Sequence, residues 1–209
     1  TETLGGNDTI KQKSLIEKIK IAKKNGDTLG GTFFTVATGI PAGLGSFIQY
    51  DTKINADIAQ TIMSINAVKA VEIGTGFNSS DCFGSESHDE ITIAEGKLTR
   101  KSNRAGGIEG GITTGLPIIV RAAMKPIATL MSPIGTVDLS TMQEIEARRE
   151  RSDFVAVPAC AVIAEGMLAW SVARFFLKKF GGDSLEETKD NYETWKGKNA
   201  LRLADNFRK

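Results

Sequence analysis

The sequence predicts an α+β fold, and three observations lead there. Thr32–Ala37 and Pro117–Ala123 are rich in β-branched and apolar residues and read as strands, yet no regular strand–helix alternation joins them. A long apolar run from Phe154 to Phe180 reads as one helix. Beyond Gly181-Gly182 a polar segment opens with Ser184 and Glu187 at capping-box spacing, which starts a further helix.

The elements follow in order. Asn7 and Asp8 are placed to cap a first helix running to about Lys24, with Leu15, Ile16, Ile19 and Ala22 on one face and Asn25-Gly26 as its stop. Gly30-Gly31 opens the first strand, and Ile40-Pro41-Ala42-Gly43 turns the chain out of it. Asp57–Met63 reads as a second helix and Val71–Ile73 as a short strand. The stretch from Asn78 to Arg104 is polar, with a hairpin expected around Glu95-Gly96-Lys97. Lys125-Pro126 closes the second long strand, and another strand is expected near Glu144–Arg151.

In the long apolar helix Pro158 falls in the first turn, where its missing N–H is harmless. Glu165 and Arg174 interrupt the run, and a carboxylate at a bilayer midplane costs about 2.5–3.5 kcal/mol. The segment is therefore expected to be a buried core helix with Glu165 paired, not a membrane span. The tail carries Leu185, Tyr192, Trp195, Leu201 and Phe207 and is expected to lie as an amphipathic helix on its own body or on a neighbour. Residues 1–182 are thus read as one unit and 183–209 as a charged helical extension.

Composition narrows the function. A formal net charge of +1 gives no electrostatic footprint for nucleic acid or acidic lipid. Lys97, Arg100, Lys101 and Arg104 lack the interleaved aromatics that stack bases. Cys82 and Cys160 stand alone, without metal-ligand spacing, and are expected to be packing residues of a protein kept in a reducing compartment. The first residues have neither the basic nor the apolar region of a secretory signal, so a cytoplasmic location is expected.

Several clusters could carry chemistry. Five glycines lie between Gly106 and Gly115; they permit close backbone approach to a ligand or simply form a tight turn. The run lacks the Gly-Lys-Ser/Thr of a phosphate loop and the spacing of a dinucleotide fingerprint. Arg148, Arg149 and Arg151 form a run of forked donors suited to phosphate or carboxylate, with Asp153 beside them; the same pattern suits a solvated face. Lys125 sets one ammonium beside a rigid bend at a strand end. His88, the single histidine, lies in a polar loop between carboxylates.

In this order the motifs resemble the chorismate synthase family. The resemblance rests on Gly26-Asp27-Thr28-Leu29-Gly30-Gly31, Ile40-Pro41-Ala42-Gly43-Leu44-Gly45, Met63 to Gly74, Gly84-Ser85-Glu86-Ser87-His88-Asp89-Glu90, Asn103 to Ile108, Gly115-Leu116-Pro117-Ile118, Lys125-Pro126 and Arg151-Ser152-Asp153. It implies half of a sandwich of antiparallel sheets around central helices, built from two similar halves in a homotetramer. It also implies the trans-1,4 elimination of phosphate from 5-enolpyruvylshikimate 3-phosphate to give chorismate, with reduced FMN. Carried over by motif, the flavin contacts fall on Asn66, Ala67, Gly110, Lys125, Pro126, Ile127, Ala128, Thr129 and Arg151, and Asp153 matches an aspartate near the flavin. Ala128 stands where the family usually has proline, and Phe154-Val155 where it has Pro-Cys. The early half of family chains, with two acid/base histidines and substrate-gripping arginines, has no counterpart here, and His88 matches neither histidine. A second reading is a non-catalytic stand-alone domain of the same fold, acting as a binding or assembly module; it rests on that missing set and on the charged tail.

Overall fold

A computed structural model of the chain describes residues 9–94, 96–150 and 153–206. The helices are α1 (Thr9–Asn25), α2 (Ile54–Met63), α3 (Gly84–Ser87), α4 (Val157–Phe180) and α5 (Leu185–Asn206). The strands are β1 (Gly31–Ala37), β2 (Val68–Ile73), β3 (Ile91–Ala94), β4 (Lys97–Arg100), β5 (Ile108–Glu109), β6 (Ile112–Thr113), β7 (Ile118–Met124), β8 (Gly135–Asp138) and β9 (Gln143–Glu146). The arrangement is α+β, with every strand pair inside these sheets antiparallel.

The main sheet has the order β1-β7-β2. β7 is central because its Ile118, Val120 and Ala122 alternate inward, while the strand pairs with β1 from Ala37↔Ile118 to Gly31↔Met124 and with β2 from Ile73↔Val120 to Val68↔Met124. Phe33 and Thr35 of β1 join them. α2 adds Ile54, Ile58 and Ile62 at four-residue spacing, and α4 adds Ala161, Ala164 and Leu168, so both helices cover the same sheet face. Full burial of each isoleucine or leucine is worth about 1.5–3 kcal/mol. α5 folds back on the end of α4, where Phe176 and Phe180 meet Tyr192, and Phe180 meets Trp195, at centroid distances of 5.1–5.4 Å.

Most expected elements occur with shifted ends. α2 begins three residues earlier than the sequence suggested, because the Ile54 N–H is taken by the Gly111 carbonyl at 3.1 Å. β8 escaped the sequence reading, and it pairs with β9, which stops at Glu146, short of the expected Arg151. The long helix starts at Val157, since Phe154 and Val155 are drawn out to meet Leu29. The capping residues Asn7 and Asp8, Glu95 of the β3–β4 turn and Phe207 of the tail lie outside the described residues. At the α5 start, Ser184 Oγ accepts from the Glu187 N–H at 3.1 Å, while Glu187 turns back to the N–H of Asp183 at 2.8 Å.

Two expectations are corrected. α4 is not wholly buried: Val162, Ile163, Trp170 and Leu177 are 53–63% exposed, Ala169 is exposed, and only 39% of its most apolar stretch is covered. By length and composition alone α4 would also suit a membrane crossing. Glu165 stands on this open side, so the burial that would have demanded a partner does not arise. Cys160 is buried as expected, and that burial pushes its thiol up; Cys82 instead sits on the surface, its thiol donating to the Asn78 carbonyl at 3.3 Å.

Candidate functional site

α2 and α4 cross antiparallel. Asp57 near the start of α2 faces Ser171 and Arg174 late in α4, so the end of α2 and the beginning of α4 lie on one side of the molecule. Asp57 has 9% of its side chain exposed, accepts from Ser171 Oγ and takes the Arg174 Nη1 at 2.7 Å. This buried polar clasp was invisible in the sequence, which offered only an isolated Asp and an Arg inside an apolar run.

At that shared end several candidate residues assemble. The chain leaves α2 through Ser64, Ile65 and Asn66 to Ala67, whose φ of +68° is uncommon for a residue with a Cβ. The Ala67 carbonyl accepts from the Lys125 N–H at 2.9 Å, which joins the exposed Asn66 amide to the end of β7. Beyond it Lys125, Pro126, Ala128 and Thr129 are exposed, and Ile127 is half-buried. The Ile127 carbonyl accepts from Thr28 Oγ1 at 2.7 Å. One residue along, the Leu29 N–H donates to the Phe154 carbonyl at 2.8 Å, which sets Asp153 beside the same seam. Thr28 and Leu29 therefore stitch the Lys125–Thr129 segment to Asp153. The sequence flagged them only as members of a glycine-flanked motif.

Next to this seam is a cavity of about 260 Å³ between the segment after β7 and the segment after β9, lined in part by Ala128, Thr129, Pro133, Ile134, Arg148 and Glu150. The Ala147 N–H, donating to the Ile134 carbonyl at 3.1 Å, holds its two walls together. Arg148 belongs to the arginine run noted in the sequence. Arg151, the candidate phosphate ligand three residues on, lies outside the described residues.

Gly110 is placed elsewhere. It forms the tip of the β5–β6 hairpin, whose Gly106 and Gly107 rest against the Pro117–Ile119 start of β7. Lys125 follows the far end of that seven-residue strand, about 20 Å away along it. A Cβ at Gly110 would meet nothing within 4 Å, so the tip is open. Within one chain, Asn66, Ala67, Lys125–Thr129 and Asp153 share a region that Gly110 does not reach.

The glycine cluster is organised by Asp89, a buried carboxylate. It accepts from Ser102 Oγ at 2.5 Å and from the N–H groups of Arg104 and Ala105 at 2.8 and 2.9 Å. Burial works against its charge, but the Ser102 and backbone hydrogen bonds hold the carboxyl below its ordinary range. Its neighbour His88 is exposed and contributes its backbone carbonyl to Arg104. Among the described residues no group of three or more His, Cys, Asp or Glu side chains could hold a metal ion.

Comparison with known proteins gives the fold a relation. The family model described as chorismate synthase matches residues 2–177. A chorismate synthase of Geobacillus thermodenitrificans is 50% identical over 182 residues, 87% of this chain and 47% of the relative. One of Chloroherpeton thalassium is 52% identical over 191 residues, 90% of this chain and 48% of the relative. A solved structure titled as a crystal structure of chorismate synthase superposes with a TM-score of 0.74 at 44% identity, covering 88% of this chain and 48% of that one. The chain thus spans about half the length of the curated relatives it matches.

Proposed function

The chain belongs to the chorismate synthase family, and on that premise we propose that it forms about half of an enzyme that eliminates phosphate from 5-enolpyruvylshikimate 3-phosphate to give chorismate. The observation carrying this reading is the seam at one end of the main sheet, where the Lys125 N–H meets the Ala67 carbonyl and Leu29 meets Phe154. It gathers an amide, an ammonium, a hydroxyl and a carboxylate from Asn66, Lys125, Thr129 and Asp153.

That donor set suits reduced FMN. When bound, reduced FMN would supply electron density for the departure of phosphate without net oxidation. The residues of this chain have separate tasks. The Lys125 ammonium holds an anionic group of cofactor or substrate by a charge-assisted hydrogen bond. The Asn66 amide offers both donor and acceptor to a polar edge. Arg151 would add a forked cation for the phosphate, and Asp153 would hold or accept a proton beside the bound ring. Gly110 offers an uncluttered backbone edge, which reaches this region from a neighbouring copy in the homotetramer. The enzyme works in the cytoplasm.

Anaerobic phosphate release with reduced FMN tests the reading. The complete enzyme carrying this half turns over, the 209-residue chain alone does not, and Asp153→Asn slows release about 100-fold. Unchanged release in Asp153→Asn removes that residue from the chemistry. Turnover by the isolated chain removes the need for a second half.

A further inference from the structure

At the other end of α4, about 36 Å from Asp153 for a 24-residue helix, a separate cavity of about 280 Å³ lies between the Gly43–Ser46 turn and the last turn of the helix. We propose that it binds a small organic anion, with a phosphate or carboxylate head and an apolar body.

The lining is rich in donors and poor in acceptors. Lys178 and Lys179 supply two ammonium groups, and no carboxylate lines the cavity or pairs with either lysine among the described residues. Ser46 Oγ already accepts from the Ile48 N–H, which leaves its own proton to donate. Thr52, by contrast, spends its hydroxyl proton on the Gln49 carbonyl. Phe175, 7% exposed, forms the apolar wall.

Lysines in a last helical turn ordinarily answer the free carbonyls of their own helix. Lys179 departs from that pattern. Its ammonium donates to the Gly43 carbonyl at 2.7 Å, across 136 residues of sequence, and lies 4.7 Å from the centroid of the Trp195 ring on α5. Gly43 permits the approach: it has φ +89°, and a Cβ there would stand 2.7 Å from the ammonium. Two elements of the fold therefore hold one cation in place at the cavity mouth. A ligand meeting a preset cation loses less ordering free energy on binding. Partial burial pushes the Lys179 pKa down, and a bound anion would restore it.

Calorimetric titration of the chain with inorganic phosphate and with benzoate, against chloride at matched ionic strength, decides the matter. The expected result is saturable 1:1 binding of phosphate, benzoate or both, with the tighter probe identifying the head group. The Lys178→Gln/Lys179→Met pair should weaken it about tenfold. Ser46→Ala should weaken it less, and Lys189→Gln on the exposed side of α5 should leave it unchanged. Circular dichroism establishes that each variant is folded. Absence of saturable heat with both probes overturns the proposal, as does equal binding by folded Lys178→Gln/Lys179→Met, or an equal loss in Lys189→Gln.

Discussion

Replacing Asp57 with Ala should cost about 2–4 kcal/mol, most of it through Ser171. Ser171 is 0% exposed and donates to the Asp57 carboxylate, so deletion leaves a buried hydroxyl without that acceptor, at about 1–3 kcal/mol. Arg174 behaves differently. Its side chain is 56% exposed, so water solvates the released guanidinium and its share is discounted to about 1 kcal/mol or less. For a chain of this size, thermal unfolding followed by circular dichroism should show a midpoint lowered by about 4–16 °C. A cycle with Ser171→Ala separates the pair from its surroundings. If the hydroxyl–carboxylate bond is the source, the double variant is less damaged than the sum of the singles by about 1–2 kcal/mol. Additivity, or a single-variant loss below about 0.5 kcal/mol, would refute the assignment of this clasp as a stabilising link between α2 and α4.

Asp89 predicts an acid limb. Its folded pKa is depressed, so its stabilisation is complete above the unfolded value near 3.8 and is lost as pH falls through the lower folded value; Asp89→Asn should flatten that part of an acid titration of stability. Gly74→Ala should cost more than about 2 kcal/mol in urea unfolding, because a Cβ there would lie 2.0 Å from the Arg104 carbonyl oxygen at φ +64°. The exposed side of α4 predicts self-association: the isolated chain should sediment above monomer mass and bind hydrophobic dye, and Ile163→Ser/Trp170→Ser/Leu177→Ser should reverse both.

Legibility in the sequence followed the physics of each element. β1 and β7 were readable because β-branched and apolar runs bounded by glycine or proline mark strands; burial alternates along both, but residue type does not, since Phe34 and Val36 face outward. β8 and β9 expose nearly every residue, so they carry no such period, and the hairpin was half missed. The apolarity of α4 was read correctly, but hydrophobicity records that a face must be covered and not which chain covers it. Motif resemblance singled out Asn66, Lys125 and Asp153, which lie in one region of the fold. The stitch through Thr28 and Leu29 was not legible, because uncharged residues making backbone contacts leave no chemical signature.

The strand order β1-β7-β2 governs how the chain reaches this fold. Thr35 and Ile73 both wait for Val120, so neither edge strand has a sheet partner until β7 has formed and two long loops have closed. Such non-local pairing slows the folding transition relative to helical proteins of equal stability. During synthesis β1 emerges before β2 and β7, with Phe33, Phe34 and Val36 unshielded and its edges able to pair with another nascent chain. Yield on expression should therefore depend on temperature and chaperone supply more than on final stability, and charged substitutions on the outer side of β1 at Phe34 or Val36 should raise it.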